Sequence, residues 1–378
     1  MALVYTDEQK ELIAMVKDMA EKEVKPHVAE CDRTGNCPIE LFEPALEMGL
    51  HLAEIPEEYG GMGLSFETTA MMYEELAKVD AGYADTLVTT FVAFRNVMLA
   101  GTPEQIQYFA DIVQEGKFAC FAITEPNAGS DAGALKATAV KDGDDYILNG
   151  TKTFATNGEC ASLYISFFRT EEGITAFMID RDTPGFSVGA HEDKMGFRLS
   201  NTTELIFDNV RVPESRVIGK KGKGLNVALG CLNISRAFVA TLAVGIMQRA
   251  LDEAVAYAKV RKQFGKPIIK FQMVQGLLAD MAIKTEAARC LVNNTMRMID
   301  AGMDVRKEGA ITKCFVTDVA QEVTSNAVQV LGGYGYSREY PVEKLMRDVK
   351  IFQIFEGTNQ IQRQTVAKCL EREYPDLI

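Results

Sequence analysis

Hydrophobic positions near the start of the chain recur at the three- and four-residue spacing of an amphipathic helix. Thr6 and Gln9 have the spacing of a capping box, which predicts where this helix begins. The patterns over 66–78 and 84–99 predict two further helices, the second of them largely apolar. Residues 1–118 are therefore predicted to form an N-terminal helical domain.

The pattern changes over residues 119–221, where short β-prone runs are separated by Asp-Gly, Asn-Gly and Pro-Gly pairs. Because no helical segments alternate with these runs, a parallel nucleotide-binding sheet is not expected. An antiparallel, β-barrel-like middle domain is predicted instead. Its main strands are expected at 146–158, 163–170, 173–180 and 202–213.

Long helical patterns return over residues 222–378, most clearly at 250–264 and 272–302. This last segment is predicted to form a C-terminal four-helix bundle. The fold class is therefore mixed α and β, mainly α, with a β domain between two helical ones.

Composition narrows the possible functions. Acidic residues outnumber basic ones by 53 to 40, and the formal charge of −13 disfavours binding to nucleic acid or to an anionic membrane. Eight cysteines lie scattered without a paired motif and only three histidines accompany them, so free thiols in a reducing compartment are expected and a metal site is not.

Charged residues interrupt the N-terminus at once, unlike a signal peptide or a membrane span. A cytoplasmic protein is expected, or one of the mitochondrial matrix after removal of a transit peptide.

Three segments carry a family resemblance. They are QVLGGYGYSREYPVEKLMRDVKIFQIFEGTNQIQR (329–363), AITEPNAGSDAGAL (122–135) and RKQFGKPIIKFQ (261–272). They closely resemble the corresponding stretches of acyl-CoA dehydrogenases of the short- or medium-chain type, and the resemblance extends over essentially the whole chain. It implies an FAD-dependent enzyme that converts an acyl-CoA thioester to the trans-2-enoyl-CoA.

By this resemblance Glu356 is the catalytic base that removes the α-proton, and the β-hydrogen leaves as a hydride to the flavin. Gly357, beside it, would let the substrate approach the backbone closely. One branch of the family places its base near residue 235, but Ser235 stands there in this chain and cannot serve.

The resemblance also implies the residues that contact FAD. Thr124 would hold the pyrimidine edge, Thr156 would hydrogen-bond to N5, and Phe154 stands where the family often has a tryptophan that covers the flavin. A second group would reach the adenosine diphosphate part in a neighbouring subunit, which implies a homotetramer. The remaining cofactor contacts implied are Ser130, Arg261, Gln263, Phe264, Gln272, Gln329, Gly332, Gly333, Thr358 and Gln360.

Substrate contacts are implied for Ser130, Asn233, Arg236 and Gly357, although the family often has Asp at the position of Asn233. The helix over 84–99 would line the acyl tail. Arg95 interrupts its apolar pattern, and pairing with an acid is favoured over contact with a polar acyl group because buried arginines are usually paired.

The electron partner implied is an electron-transferring flavoprotein. Glu192 matches a surface glutamate that pairs with this protein in some family members, and a solvated acidic side chain is an equal alternative.

Other activities share this set of residues. An enoyl-CoA reductase would run the same chemistry in reverse, and an acyl-CoA oxidase would pass electrons to oxygen. A monooxygenase or a non-catalytic scaffold is less favoured, because Glu356 and the implied flavin contacts are retained.

Overall fold

The computed structural model describes residues 5–375, and the first of three domains is helical. The capping box is confirmed, since the Thr6 hydroxyl accepts a hydrogen bond from the Gln9 backbone N–H at 3.1 Å and the Thr6 N–H donates to Gln9 Oε1 at 3.0 Å. The predicted helices over 66–78 and 84–99 are present and slightly longer than expected. The helices of this domain are α1 (Asp7–Met19), α2 (Lys25–Thr34), α3 (Glu43–Glu47), α4 (Phe66–Val79), α5 (Ala81–Ala100) and α6 (Pro103–Gln114).

The middle domain is an eight-stranded sheet in the order β6-β7-β3-β2-β4-β5-β8, with β1 beside β4. Most neighbouring strands are antiparallel, as predicted, but β1 and β2 each pair with β4 in parallel. Aromatic side chains such as Tyr164, Phe168 and Phe177 fill the core of this domain. The strands are β1 (Phe118–Ala122), β2 (Thr138–Asp142), β3 (Asp145–Thr156), β4 (Ala161–Thr170), β5 (Gly173–Asp180), β6 (Phe186–His191), β7 (Thr202–Pro213) and β8 (Val217–Ile218).

The third domain is a bundle built around its first helix. That helix packs against α4 and α5 of the first domain and against three helices of its own domain. It is long and apolar enough to cross a membrane by length and composition, but 67% of its most apolar window is buried, as in the core helix of a folded protein. The elements are α7 (Gly224–Val260), β9 (Lys262–Gln263), β10 (Lys266–Pro267), α8 (Gln272–Asp300), α9 (Arg306–Leu331), α10 (Val342–Asp348) and α11 (Asn359–Glu373).

The helix predicted over 250–264 ends earlier than expected. Residue Arg261 already has an extended backbone, and a small β9–β10 hairpin follows α7. At the tip of this hairpin Phe264 and Gly265 have φ angles of 51° and 78°, which a helix cannot contain. The sequence after Val260 therefore leaves the helix and forms an exposed hairpin on the surface of the bundle.

Candidate active site

The catalytic candidate Glu356 lies in the short loop that precedes α11. Its φ angle is 53° and that of Gly357 is 88°, so two consecutive residues have left-handed backbone conformations. A Cβ atom on Gly357 would lie 2.7 Å from Gln362 Nε2, so a larger residue would displace this side chain. Thr358 then caps α11, because its hydroxyl accepts a hydrogen bond from the Ile361 N–H at 3.2 Å. The loop thus holds Glu356 in a conformation that side-chain-bearing residues rarely adopt.

The Glu356 side chain is partly buried, and one of its carboxylate oxygens has no hydrogen-bond partner. Its Oε2 atom is shielded from solvent and accepts no hydrogen bond from the described residues. Burial raises the pKa of this carboxyl group to about 7, and the nearby cations Arg236, Arg95 and Lys313 oppose the rise only partly. A carboxylate with such a pKa is a much better proton acceptor near neutral pH than an exposed one.

Arg236 on α7 is the cation whose charge lowers the pKa of Glu356 most. Its side chain is 4% exposed, and its Nη1 donates a hydrogen bond to Asn233 Oδ1 at 2.9 Å. Its Nε has no partner among residues 5–375. A buried guanidinium with a free donor beside a free carboxylate is an arrangement suited to a ligand that supplies the missing partners.

Arg95 on α5 forms a second buried polar cluster. Its Nε donates to Glu54 Oε2 at 2.8 Å, its Nη2 donates to Glu54 Oε1, and its Nη1 donates to Ser235 Oγ at 3.1 Å. The guanidinium also lies 4.1 Å from the centre of the Phe238 ring. The expectation that Arg95 pairs with an acid is confirmed. Ser235 is fully engaged in this cluster, because it also donates to the Cys231 carbonyl.

Asp85 is a second buried acid near Glu356 that the sequence analysis missed. Only 4% of its surface is exposed, and its Oδ2 accepts a hydrogen bond from Ser200 Oγ at 3.3 Å. Burial, reinforced by the charge of Glu356, raises the pKa of Asp85 to about 7. Asp85 lies inside the apolar run over 84–99, as Arg95 does. A charged residue in such a run was the sequence signal that could have identified this buried acid.

The residues expected at the flavin ring come together at one end of β3. The Thr153 N–H donates to the Thr124 carbonyl at 2.9 Å, which joins the 124–130 loop to the strand that carries Phe154 and Thr156. Phe154 is 64% exposed and has a φ angle of 56°, so its ring faces away from the core. Ser130 is exposed on the same loop.

A buried ion pair that the sequence analysis also missed anchors this loop. Glu125 accepts hydrogen bonds from Lys152 Nζ at 2.7 Å and from the backbone N–H groups of Lys136 and Ala137 at 2.6 and 3.0 Å. Lys152 is fully buried. The carboxylate therefore ties together the loop, β3 and the segment before β2, which fixes the position of Thr124.

The residues expected at the adenosine end are brought together elsewhere on the surface. The Arg261 guanidinium lies 5.4 Å from the centre of the Tyr334 ring, which places the β9–β10 hairpin beside the turn after α9. Phe264 is 93% exposed, and a Cβ atom on Gly332 or Gly333 would meet no atom within 4 Å. Open glycine backbone beside exposed side chains leaves room for a further molecule. The other residues in this group are exposed: Gln263, Gln272 and Gln329. Gln360, a further FAD contact implied after the proposed base, is exposed as well.

Known protein families account for nearly the whole chain. Family models described as the N-terminal, middle and C-terminal domains of acyl-CoA dehydrogenase match residues 6–117, 120–210 and 222–371. The chain belongs to the acyl-CoA dehydrogenase family. It is therefore an oxidoreductase that acts on acyl-CoA.

Similar proteins support this membership over their full length. An acyl-CoA dehydrogenase from Bacillus subtilis is 42% identical over 97% of this chain and 98% of its own. The structure of butyryl-CoA dehydrogenase from Megasphaera elsdenii matches with a TM-score of 0.95 and 42% identity, covering 98% of this chain and all of that one. A chain described under "Electron transferring flavoprotein of Acidaminococcus fermentans: Towards a mechanism of flavin-based electron bifurcation" matches with a TM-score of 0.96 and 43% identity, over 98% of this chain and 100% of that one.

Proposed function

We propose that this acyl-CoA dehydrogenase uses FAD to convert a short- or medium-chain acyl-CoA thioester to the trans-2-enoyl-CoA, with Glu356 as the base. The observation that carries this proposal is the Glu356 carboxyl group, whose Oε2 atom is shielded from solvent without a protein partner and whose pKa is raised to about 7. A structural acid in such a position would be expected to have hydrogen-bond partners, because an unpartnered buried charge is costly.

The chain's own residues would act in the following order. The Glu356 carboxylate removes a proton from the α-carbon of the acyl group, and this proton stays on the Glu356 carboxyl oxygen. The backbone N–H of Glu356 stabilises the charge that develops on the thioester oxygen. When bound, FAD supplies the hydride acceptor that no amino-acid side chain can provide. The shielding of Oε2 from solvent would limit competition by water at the atom that accepts the proton.

The residues around the proposed flavin site fit this cofactor. Thr124, Phe154 and Thr156 offer two hydroxyls and an exposed aromatic face at one end of β3. The surface formed by Arg261 and the open backbone at Gly332 and Gly333 suits a pyrophosphate, because arginine donates in a forked geometry and glycine permits close approach. The remaining proposed contacts are Ser130, Gln263, Phe264, Gln272, Gln329, Thr358 and Gln360.

A homotetramer is proposed because this second surface is exposed on a single chain. Phe264 is 93% exposed, so its ring is available for contact with a neighbouring subunit. Burial of this ring against a neighbouring subunit and its cofactor would explain both the exposure and the family resemblance of the 261–272 segment.

The preference for a short or medium acyl chain rests on the Arg95–Glu54–Ser235 cluster. The charge of Arg95 acts on both Glu356 and Cys231, so this polar group lies close to the reacting carboxylate. A long apolar tail would gain little by contact with a buried ion pair. The similarity to a butyryl-CoA dehydrogenase agrees with this preference. Ser130, Asn233, Arg236 and Gly357 are the proposed substrate contacts.

An electron-transferring flavoprotein is the proposed electron acceptor, and the cytoplasm the proposed location. The similarity to a chain described in work on such a flavoprotein supports the partner. Glu192 is a proposed docking residue. It lies beside Lys194 and Arg198 in a small surface pocket, so this patch offers charges of both signs.

An anaerobic titration of the purified holoenzyme with acyl-CoA thioesters of increasing chain length tests the proposal. The oxidised flavin band should bleach, most fully with a short or medium chain. A bound flavin that no saturated thioester bleaches would contradict the proposed reaction, and maximal bleaching by a long chain would contradict the proposed substrate class.

A further inference from the structure

Lys313 on α9 is a buried lysine that the reaction described above does not use. Its side chain has no exposed surface. Its Nζ donates hydrogen bonds to the Gly357 carbonyl at 2.8 Å and to Asn359 Oδ1 at 2.9 Å. Both acceptors are uncharged. A buried ammonium group normally pairs with a carboxylate. Contact with only neutral oxygens therefore indicates that Lys313 serves to hold these two acceptors in place.

The two acceptors belong to the loop that carries Glu356. Gln362 Nε2 donates to the Gly357 carbonyl at 2.8 Å and to the Glu356 carbonyl at 3.2 Å. Asn359 Nδ2 in turn donates to Thr317 Oγ1 at 2.8 Å. The carbonyls of both left-handed residues are therefore held by side chains from α9 and α11. Such contacts are what a strained backbone needs in order to persist.

The charged groups that face Lys313 also connect it to Glu356. Burial lowers the pKa of Lys313 to about 7, and the charge of Glu356 is the largest effect that raises it; Cys314 and Asp318 also raise it, and Arg236 lowers it. Glu356 itself faces Lys313, Arg236 and Arg95, and its charge in turn raises the pKa of Asp85. The ammonium group and the carboxylate thus favour each other's charged forms without touching.

We propose that Lys313 is a positioning residue for Glu356. Its buried ammonium group clamps the Gly357 carbonyl and Asn359, which holds the loop in the conformation that presents the carboxylate to the substrate, and its charge favours the ionised base. This inference rests on the proposed function in so far as Glu356 is the base.

Two measurements on the holoenzyme test it, and the first does not depend on activity. Hydrogen exchange of the peptide covering 355–361, followed by mass spectrometry, should become faster in Lys313→Met. Lys307→Met is the matched control, because Lys307 lies on the same helix but pairs with Glu373 at the surface. The control should leave exchange in this peptide unchanged. Unchanged exchange in Lys313→Met would overturn the proposed clamp.

The second measurement is the pH dependence of flavin reduction by the best acyl-CoA. Loss of the cation should move the midpoint to higher pH, and misplacement of the base should lower the limiting rate by about 10²-fold, as small misplacements of catalytic groups do. A wild-type rate and midpoint in Lys313→Met would overturn the proposal. If no thioester reduces the wild-type flavin, the proposed function fails, while the exchange result still decides the clamp.

Lys313→Arg provides the conservative comparison, and it decides the question if the methionine variant does not fold. Arginine keeps the charge but its planar group cannot reproduce the geometry of the ammonium donors. The pH midpoint should stay near that of the wild type, while loop exchange rises and the rate falls. An arginine variant with wild-type exchange and rate would contradict the need for this clamp.

Discussion

Removal of Arg95 should destabilise the protein far more than loss of a surface charge. Arg95 and Glu54 have side chains that are 4% and 3% exposed, and they are joined by two hydrogen bonds. The substitution Arg95→Met keeps the apolar volume but leaves Glu54 ionised and buried, or forces it to take up a proton. The expected cost is about 3–5 kcal/mol, which is typical when one partner of a buried pair is removed.

The double variant Arg95→Met/Glu54→Leu separates the cost of the orphaned charge from the value of the pair. With both charges gone, no buried carboxylate remains uncompensated, so most of the lost stability should return. Denaturant unfolding of the wild type, both single variants and the double variant, at one protein concentration, gives the coupling free energy. Lys10→Met breaks the exposed Lys10–Asp7 pair and is the control, which should leave the unfolding midpoint unchanged.

Two results would refute this reasoning. A loss of less than about 1 kcal/mol in Arg95→Met would mean that Glu54 is not an uncompensated buried charge. A double variant whose loss equals the sum of the two single losses would mean that the pair is not coupled. Because the charge of Arg95 also lowers the pKa of Glu356, the same single variant should shift the pH midpoint of flavin reduction upward.

Three further substitutions test the site. Glu356→Gln should slow flavin reduction by about 10²–10⁴-fold while FAD is retained. Because the pKa of Glu356 in the folded protein, about 7, exceeds the usual carboxyl value, the thermal stability of this variant relative to the wild type should increase as the pH rises from 5 to 8. A stability difference that stays constant with pH would contradict the raised pKa. Gly357→Ala should cost about 1–2 kcal/mol in urea unfolding and reduce turnover, because of the positive φ angle and the contact with Gln362; wild-type behaviour would exclude that strain. Arg261→Ala should weaken FAD retention and tetramer formation together, and a tetramer with full flavin content by absorbance and size would contradict the shared site.

Local patterns allowed much of the fold to be predicted from the sequence. Apolar periodicity and capping residues specify helices such as α4 and α8 within their own segments. Pairs of turn-forming residues such as Asn-Gly and Pro-Gly separated the strands of the middle domain. The bounds of β5 and β7 agree with the predicted runs. The parallel pairing of β1 with β4 could not be predicted in this way, because it depends on which distant strand lies alongside.

The candidate site was only partly predictable for a related reason. The family motif identified Glu356, but no local pattern shows that Arg95, Lys313 and Asp85 converge on it from distant parts of the chain. Buried charges look like surface charges in a sequence, since the residue type is the same and only the fold decides exposure. Arg95 was seen to interrupt the apolar run over 84–99, but the sequence could not show that it lies near Glu356.

The surroundings of Glu356 balance two opposing requirements on the proposed catalytic base. Burial alone would raise its pKa so far that the group stays protonated at neutral pH, whereas a direct ion pair would lower the pKa and occupy the lone pairs that accept the proton. Each nearby cation instead has its hydrogen bonds directed elsewhere: Arg236 to Asn233, Arg95 to Glu54 and Ser235, and Lys313 to Gly357 and Asn359. Across residues 5–375 no salt bridge involves Glu356, so the cations act on it only through space. Their combined charge keeps Glu356 ionisable near neutral pH, and their separate partners leave its carboxylate free to serve as the proposed base.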